Sequence, residues 1–355
     1  MDGFNLSQPV TPVPRARHRV IRTRYFSARF NGRVLLMAGL TLMLLTVVAV
    51  WAMTLGSYHI AFLDVVKAAI GDGSPDQELI VRNLRLPRVV SAMFIGASLA
   101  MSGAIFQGLV RNALVSPDII GIETGAALAA VFWIVTSQVQ ALLPFAAFVG
   151  AIVTATLIYV LSWKGGISPS RLILVGIGVG ATLNAAITLM IVRFPIEIVR
   201  PAVVWQMGSL YGSTWSDVRM LAIGFAILTP VAIVLTWPLR TMQLGDDVTR
   251  GLGMPLERTR LGLIVVGCGL CAIATALAGP IGFVALMVPH MARMIAGPLS
   301  GSVMAFSAVL GACFLLVADI IAQHFLPVAL PTGVVTAAVG APYFLLLLYR
   351  YNTRI

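Results

Sequence analysis

Charged side chains are scarce in this chain. Only 10% of its 355 residues are Asp, Glu, Lys or Arg, whereas 59% are hydrophobic. Soluble domains carry roughly a quarter charged residues, and a chain of this length cannot bury so much apolar side chain in one water-soluble core. The composition therefore excludes an ordinary soluble domain and indicates a membrane protein.

Alternation of apolar and polar residues, which is typical of a membrane β-barrel, is also missing. The apolar residues form long uncharged runs instead, and about 20 apolar residues in a helix suffice to cross a bilayer. Because backbone polar groups in lipid must be paired internally, these runs are expected to be helices. We predict an all-α integral membrane protein with about ten transmembrane helices. The predicted spans are 34–56, 88–110, 119–136, 142–163, 171–193, 218–238, 259–278, 280–296, 303–325 and 332–349.

Lysine is nearly absent, and so are the side-chain sets that carry catalysis. The two lysines, Lys67 and Lys164, lie in no phosphate-binding GxxxxGK[ST] motif. The four histidines are scattered, and His290 has no His or Cys at metal-ligand spacing. The three cysteines lie within apolar runs, where unreactive buried thiols are expected. We therefore predict no enzyme activity, no metal site and no cofactor bound by this chain.

The energy for any transport must then come from elsewhere. Ion-coupled carriers usually place acids or bases in the middle of the membrane, but Glu123 and Asp319 lie toward the ends of predicted spans. Ten spans without an ATPase motif or an ion relay favour a transport subunit driven by an ATP-hydrolysing partner. An ion-coupled secondary carrier stays open as an alternative, as does a membrane receptor or scaffold without transport activity.

The net charge of +11 is distributed unevenly. Seven Lys and Arg residues lie between Arg15 and Arg33, largely in a basic arm (1–32) that we expect to be disordered and near anionic lipid. With the N-terminus inside, the outer segments hold seven basic residues and the inner segments hold the other 17 of the 24, as the positive-inside rule requires. Both termini, including the tail 351–355, are thus predicted to be cytoplasmic. Nucleic-acid binding is not expected of so apolar a chain.

Residues 240–258, RTMQLGDDVTRGLGMPLER, form a polar segment between two apolar runs. Two aspartates are expected to start a short helix there, and two glycines allow a sharp turn. These residues are Asp246, Asp247, Gly251 and Gly253. Leu252 and Met254 would then offer apolar side chains to a groove on a partner. On this pattern alone, both a docking hairpin and an ordinary capped loop are possible.

Six motifs, in this order, resemble those of the FecCD-type permease subunits of ABC importers for iron-siderophores, haem and vitamin B12. They are RLPR (85–88), SGAIFQGLVRNALVSPDIIGIETGA (102–126), WQMGSL (205–210), LGDDVTRGLGM (244–254), AGPIGFVALMVPHMAR (278–293) and LPTGVVTAAVGAPYF (330–344). The resemblance implies a type II ABC importer permease fold, here a permease domain over 33–350. It also implies an assembly of two permease subunits, two ATPases that bind ATP and Mg, and an extracytoplasmic binding protein.

The resemblance assigns roles at the two faces of the membrane. LGDDVTRGLGM matches the coupling helices that sit in a cleft of the ATPase, through Leu244, Gly245, Asp246, Asp247, Arg250, Gly251, Leu252 and Gly253. Arg85 and Arg88 match the outer arginines that pair with carboxylates of the binding protein, and Arg82 is a further candidate. Anchoring at the membrane interface is the alternative role for these arginines.

A translocation pathway is also implied. Asn112, Leu114 and the Ser168–Pro169 loop match positions that narrow its cytoplasmic end in the family. Its walls would come from the fifth span and from the outer segment 197–210, through Gly176, Gly180, Asn184, Trp205 and Met207. Close helix packing explains the two glycines as well as a pathway does.

The motifs ADIIAQ (318–323) and LGDD (244–247) look most like the ferric-enterobactin (catecholate siderophore) branch, in which two different permease chains pair. Gln323 and Ala329 differ from the arginine and the acid that some family members carry there. The expectation is therefore a bacterial inner-membrane subunit that imports a ferric siderophore. Cobalamin or haem is the alternative cargo.

Overall fold

The computed structural model describes residues 18–22, 27–137 and 139–352, and this part of the chain is almost entirely helical. The helices are α1 (Gly32–Thr54), α2 (Phe62–Ile70), α3 (Pro75–Glu78), α4 (Leu86–Val110), α5 (Ile122–Thr136), α6 (Leu143–Ser162), α7 (Pro169–Arg193), α8 (Ile196–Trp205), α9 (Trp215–Met242), α10 (Asp246–Gly251), α11 (Leu256–Ala278), α12 (Val284–Ala296), α13 (Gly301–His324) and α14 (Thr332–Asn352). A π-helical turn, Leu79–Arg85, joins α3 to α4, and a 3₁₀ turn, Gln140–Leu142, precedes α6.

The structure describes part of the basic arm. Strands β1 (His18–Arg22) and β2 (Ser27–Asn31) pair antiparallel, with His18 opposite Asn31 and Arg22 opposite Ser27. The rest of the arm, 1–17 and 23–26, lies outside the described residues. Helix α14 also continues to Asn352, into the predicted tail, because no Gly or Pro ends it at 349.

Each predicted span contains a helix, but the helices differ in length. Eight helical segments of the described residues are long and apolar enough to cross a membrane, namely α1, α4 with the turns before it, α6, α7, α9, α11, α13 and α14. Helices α5 and α12 have 15 and 13 residues. At 1.5 Å per residue they are only about 20 Å long, which is shorter than the ~30 Å hydrocarbon layer.

The two short helices are preceded by irregular chain that is packed inside the protein. In the segment 111–121, the side chains of Val115, Ser116 and Ile120 are buried. Before α12, Ile281 is buried and Phe283 adopts a left-handed φ of 68°. The carbonyl of Pro280 packs so closely on Gly208 that a Cβ there would clash. Irregular backbone at membrane depth is tolerated where protein surrounds it, so these two spans begin later than the sequence predicts.

Helix α4 forms the centre of the bundle. It packs against α9, α11, α12 and α13, and 83% of its most apolar stretch is buried, against 17% for α9. Where α4 crosses α13, a Cβ on Gly96 or on Gly311 would clash with the carbonyl of the other glycine. The Ser102 hydroxyl donates to the Gly267 carbonyl of α11 at 2.6 Å. Small residues thus allow close helix contact on two sides of α4.

The predicted sites lie at two ends of the bundle. The arginine end carries Arg82–Arg88, α8 and the start of α9, where the Trp215 indole N–H donates to the Arg82 carbonyl at 2.8 Å. The hairpin end carries α10 and the 163–168 loop that joins α6 to α7. Each end is thus assembled from segments that are far apart in the sequence.

Candidate coupling and docking sites

The segment 240–258 forms a hairpin around α10. Asp246 and Asp247 occupy the first turn of α10, as the sequence predicts. Gly245 before the helix has a φ of 114° and Gly253 after it has a φ of 75°. Residues other than glycine rarely adopt these φ angles, so Gly245 and Gly253 set the two turns of the hairpin. Gly251, which the sequence also predicts for the turn, instead ends α10 without a left-handed φ.

The Asp246 carboxylate joins α10 to two other segments. Its Oδ1 accepts from Arg111 at 2.9 Å, and its Oδ2 accepts from Arg260 at 2.6 Å. Arg111 ends α4, with a left-handed φ of 58°, and Arg260 lies in the first turns of α11. One carboxylate therefore holds the ends of two core helices against α10.

The Arg260 side chain is 4% exposed and also binds the 163–168 loop. Its Nη1 donates to the Ile167 carbonyl at 2.7 Å and to Glu257 Oε1 at 3.2 Å. The Ile167 N–H in turn donates to Glu257 Oε2 at 3.1 Å. Both backbone groups of Ile167 are thus bound by side chains from the start of α11. A buried guanidinium of this kind depends on its carboxylate partners, because an unpaired buried charge is strongly destabilising.

The outer surface of the hairpin carries an apolar ridge, which we define as Leu244, Val248 and Leu252. These side chains are 67%, 48% and 63% exposed and recur every four residues. The sequence predicts Leu252 and Met254 as the apolar contacts, but Met254 is half-buried. Val248 was missed, although its four-residue spacing from Leu244 and Leu252 was a signal for it. The buried residue of α10 is Thr249, whose hydroxyl donates to the Gly245 carbonyl at 2.7 Å.

The residues predicted to narrow the pathway lie at the hairpin end, next to this network. Asn112 follows Arg111, and its Oδ1 accepts from the Leu114 N–H at 2.9 Å, which forms a tight turn. Ser168 follows Ile167 and precedes Pro169, the first residue of α7. Both predicted narrowing segments therefore begin one residue after a residue that the Asp246 network binds.

The predicted wall residues are not all brought together. Gly176 and Gly180 are buried against Ile120 and Gly121 in the irregular chain before α5. Asn184 lies on an exposed part of α7. Trp205 ends α8 at the arginine end, where it lines a cavity of about 400 Å³. Met207 is exposed nearby but does not line that cavity.

The three predicted docking arginines have different surroundings. Arg82 is 52% exposed and lies 3.9 Å from Glu78. Arg85 donates at 2.6 Å to each of the carbonyls of Met53 and Tyr58, so it fixes the chain after α1. Of the three, Arg82 alone has its guanidinium largely free to meet a partner.

Arg88 forms a two-point ion pair with Asp319 of α13. The Arg88 Nε and Nη2 donate to the two carboxylate oxygens, each at 2.8 Å. The Thr332 hydroxyl at the start of α14 donates to the same carboxylate at 2.7 Å. Asp319 is buried, so the pair ties α4, α13 and α14 together. The sequence singled out Asp319 as an unusual acid but did not show its partner.

Among the described residues, no three His, Cys, Asp or Glu side chains come together as metal ligands. Cys268, Cys271 and Cys313 are buried and form no disulfide. The geometry at both ends therefore consists of structural hydrogen bonds, ion pairs and exposed surfaces.

The model of the FecCD transport family matches residues 43–350. The chain belongs to the FecCD transport family. The predicted resemblance is thus confirmed, and this FecCD protein is a permease of the ABC importer type.

Relatives of this FecCD permease match it along most of their length. It is 41% identical over 325 residues to the "Probable siderophore transport system permease protein YfhA" of Bacillus subtilis (strain 168), which covers 89% of this chain and 94% of the relative. It is 40% identical over 328 residues to the "Ferric enterobactin transport system permease protein FepG" of Escherichia coli (strain K12). This match covers 92% of this chain and 99% of the relative.

A solved structure has the same fold. A chain of a metal-chelate type ABC transporter in an inward-facing conformation superposes with a TM-score of 0.80 at 29% identity, covering 89% of this chain and 99% of that chain. The all-α permease fold predicted from the sequence is confirmed by this match.

Proposed function

We propose that this FecCD permease is the transmembrane subunit of an ABC importer that moves a ferric siderophore, of the catecholate enterobactin type, into the cytoplasm. A periplasmic binding protein delivers the cargo, and a partner ATPase, which binds ATP and Mg, drives the transport. The permease itself catalyses no reaction. The observation that carries the proposal is that Asp246 of the hairpin bonds Arg111 directly and Ile167 through Arg260. These two residues come directly before the segments predicted to narrow the pathway.

The proposed orientation places the hairpin end in the cytoplasm of a bacterium, at the inner membrane, with both termini inside. Arg240, Arg250 and Arg258 are exposed at this end, which supports the orientation because basic residues concentrate on the cytoplasmic side. The arginine end then faces the binding protein.

The apolar ridge supports contact with an ATPase. Three large apolar side chains, one in α10 and one on each side of it, are exposed together on the hairpin and fit a hydrophobic groove on a partner. Asp247 and Arg250 beside them are also exposed. Displacement of α10 would pull on Arg111 and Arg260 through Asp246. Arg111 would move Asn112 and Leu114, and Arg260 would move Ile167, Ser168 and the start of α7.

At the other end, the binding protein would dock through carboxylates on Arg82, Arg85 and Arg88. The exposed guanidinium of Arg82 supports a direct role for it. Charge pairs at the rim of an interface mainly steer and orient the partner. Arg85 and Arg88 are held by internal partners, so their part in docking includes fixing the shape of the docking face.

A second permease subunit would complete the pathway. The exposed side of α7 carries Leu174, Leu189 and Val192, which supports an apolar subunit contact along this helix. A heterodimer follows from the resemblance to the enterobactin branch. Co-purification distinguishes it from a homodimer.

The cargo assignment rests on the motif resemblance and on the 40% identity to the enterobactin permease. Cobalamin or haem is the alternative cargo within the family. Uptake of radioactive ferric catecholate, cobalamin and haem by the assembled importer separates these three. An ion-coupled carrier, the alternative from another class, would accumulate cargo in vesicles without any ATPase.

The apolar ridge gives the deciding experiment. The variants Val248→Asp and Leu252→Asp should abolish co-purification of the ATPase, because they place a charge in an apolar contact while the Asp246 network stays intact. The matched control is Leu63→Asp, which alters an exposed leucine of α2 at the opposite end. Retention of the ATPase by both ridge variants would contradict the proposal.

A further inference from the structure

Three separate sequence motifs meet around the chain that follows α8. The carbonyl of Trp205, in WQMGSL, lies so close to Gly279 of AGPIG that a Cβ there would clash. Gly208, with a φ of 68°, packs equally closely on the Pro280 carbonyl. Gly333 of LPTG packs on the Met207 carbonyl. The roles assigned so far to the coupling hairpin and to the docking arginines leave these three motifs unexplained.

Hydrogen bonds fix the same junction. The Ser209 N–H donates to the Ala278 carbonyl at 2.7 Å, and the Gly333 N–H donates to the Gly208 carbonyl at 3.0 Å. The segment from Trp205 to Ser209 is therefore held on the ends of α11 and α14 by backbone contacts that only glycine permits. Such contacts make a rigid base, which is what a preorganised binding site requires.

This base supports the cavity of about 400 Å³ at the arginine end. The cavity is lined by Arg200, Pro201, Val204, Trp205, Ser209, Tyr211, Leu277 and Ala278. Its walls are thus mainly apolar. The polar groups are the guanidinium of Arg200, the indole of Trp205, the hydroxyl of Ser209 and the phenol of Tyr211. A volume of this size holds one arm of a large chelate and not the whole of it.

The polar groups of the cavity favour an anionic ring-bearing ligand. Arg200 forms no salt bridge with any carboxylate of the described residues, so its charge is available. Guanidinium groups bind oxyanions by paired hydrogen bonds and stack on planar rings. Trp205 and Tyr211 supply ring faces, and the Tyr211 side chain is 83% exposed. An aryl oxyanion or aryl carboxylate matches all three side chains.

We propose that this cavity receives one anionic aryl arm of the ferric chelate after its release from the binding protein, with Arg200 as the residue that selects for negative charge. The proposal rests on the proposed import of a ferric siderophore and assigns the selection for negative charge to Arg200. The loop of Tyr211 leads directly to Trp215, whose indole holds the Arg82 carbonyl. The short segment 211–215 therefore connects the cavity to the docking arginines.

Binding is tested directly by labelling. In the assembled importer, Ser209→Cys places a thiol in the cavity, whereas the three native cysteines are buried. Ferric tris(catecholate) should protect this thiol from a maleimide, and cationic ferrioxamine should not. A thiol that is blocked without any chelate would show that a subunit or a lipid fills the cavity, and would overturn the proposal. A thiol that neither complex protects would do the same.

Transport supplies the second test. Arg200→Gln should lower uptake of ferric tris(catecholate) by about tenfold, the loss of one charge-assisted hydrogen bond, and should leave ferrioxamine uptake unchanged. Arg193→Gln is the matched control, because Arg193 is exposed at the same end but does not line the cavity. Equal uptake by wild type and Arg200→Gln would overturn the proposal. A wild type that imports no ferric complex with ATP would instead contradict the proposed function, while the labelling result would still decide the cavity.

Discussion

Arg88 and Asp319 are 231 residues apart in the sequence and form a two-point ion pair between α4 and α13. Their side chains are largely removed from solvent, and Thr332 adds a third hydrogen bond. The pair lies on the same helix pair as the contact between Gly96 and Gly311. An ion pair and a backbone contact thus hold α4 and α13 at two levels of the bundle.

We expect Arg88→Ala to destabilise the fold, because it leaves the buried Asp319 without its cation. Removal of one partner of a buried pair costs about 3 kcal/mol or more. The double variant Arg88→Met/Asp319→Leu should recover much of this loss, since it removes both charges. Thermal unfolding in detergent measures the difference. Equal stability of wild type and Arg88→Ala would show that Asp319 does not depend on Arg88.

We expect Arg260→Met to uncouple ATP hydrolysis from transport. Without the guanidinium, Ile167 loses its link to Asp246, so movement of the hairpin no longer reaches the start of α7. Uptake should fall at least about tenfold, the equivalent of one charged hydrogen bond, while the ATPase stays bound through the apolar ridge. Uptake, ATP hydrolysis and ATPase binding are all measured on the same reconstituted importer.

Arg258→Met is the control for this change, because Arg258 is exposed and lies two residues away on the same helix. It should leave both uptake and ATPase binding unchanged. If Arg260→Met transports normally, the Asp246 network is structural and does not transmit movement. If it loses the ATPase as well, the hairpin has unfolded, and the ridge must be tested separately.

Much of this fold could be predicted from the sequence, since the signals for helices and turns are local. Apolar runs located the helices, and Asp246 with its flanking glycines located α10. The irregular segments before α5 and α12 could not be located, because their backbone is held by tertiary contacts, such as those of the Ile120 carbonyl with Gly176 and of the Pro280 carbonyl with Gly208. The hydropathy of a sequence gives no information on contacts between distant segments.

The candidate site was less predictable, because its partners are distant in the sequence. Arg85 and Arg88 were identified by motif as exposed docking residues, whereas their internal partners depend on how the helices pack. The same holds for Ile167, which is 93 residues from Arg260. Glycine in a span is compatible with both a pathway and packing, so the sequence could not show that Gly176 packs on the Ile120 carbonyl.

Gly176 and Gly178 of α7 differ in the space that is available for a side chain. A Cβ at Gly176 would lie 2.5 Å from the Ile120 carbonyl, whereas a Cβ at Gly178 would meet no atom within 4 Å. We expect Gly176→Ala to destabilise the protein and Gly178→Ala to be neutral or stabilising by about 0.5–1 kcal/mol, since alanine favours the helix over glycine. Unfolding midpoints of the two variants test this. Equal effects would show that α7 does not pack on the chain before α5 as described.

The exposed guanidinium of Arg82 leads to the last expectation. Arg82→Glu should weaken binding of the loaded binding protein and slow its association, because it places a negative charge where a carboxylate docks. The defect should be larger at low salt than at high salt, since exposed charges are screened by ions. Association rates measured at two salt concentrations on the reconstituted permease give both comparisons. Thermal stability should change little, because the long ion pair with Glu78 is replaced by a weak repulsion between two solvent-accessible carboxylates. A defect that is independent of salt would show that Arg82→Glu acts by distorting the π turn, and not by charge at the docking face.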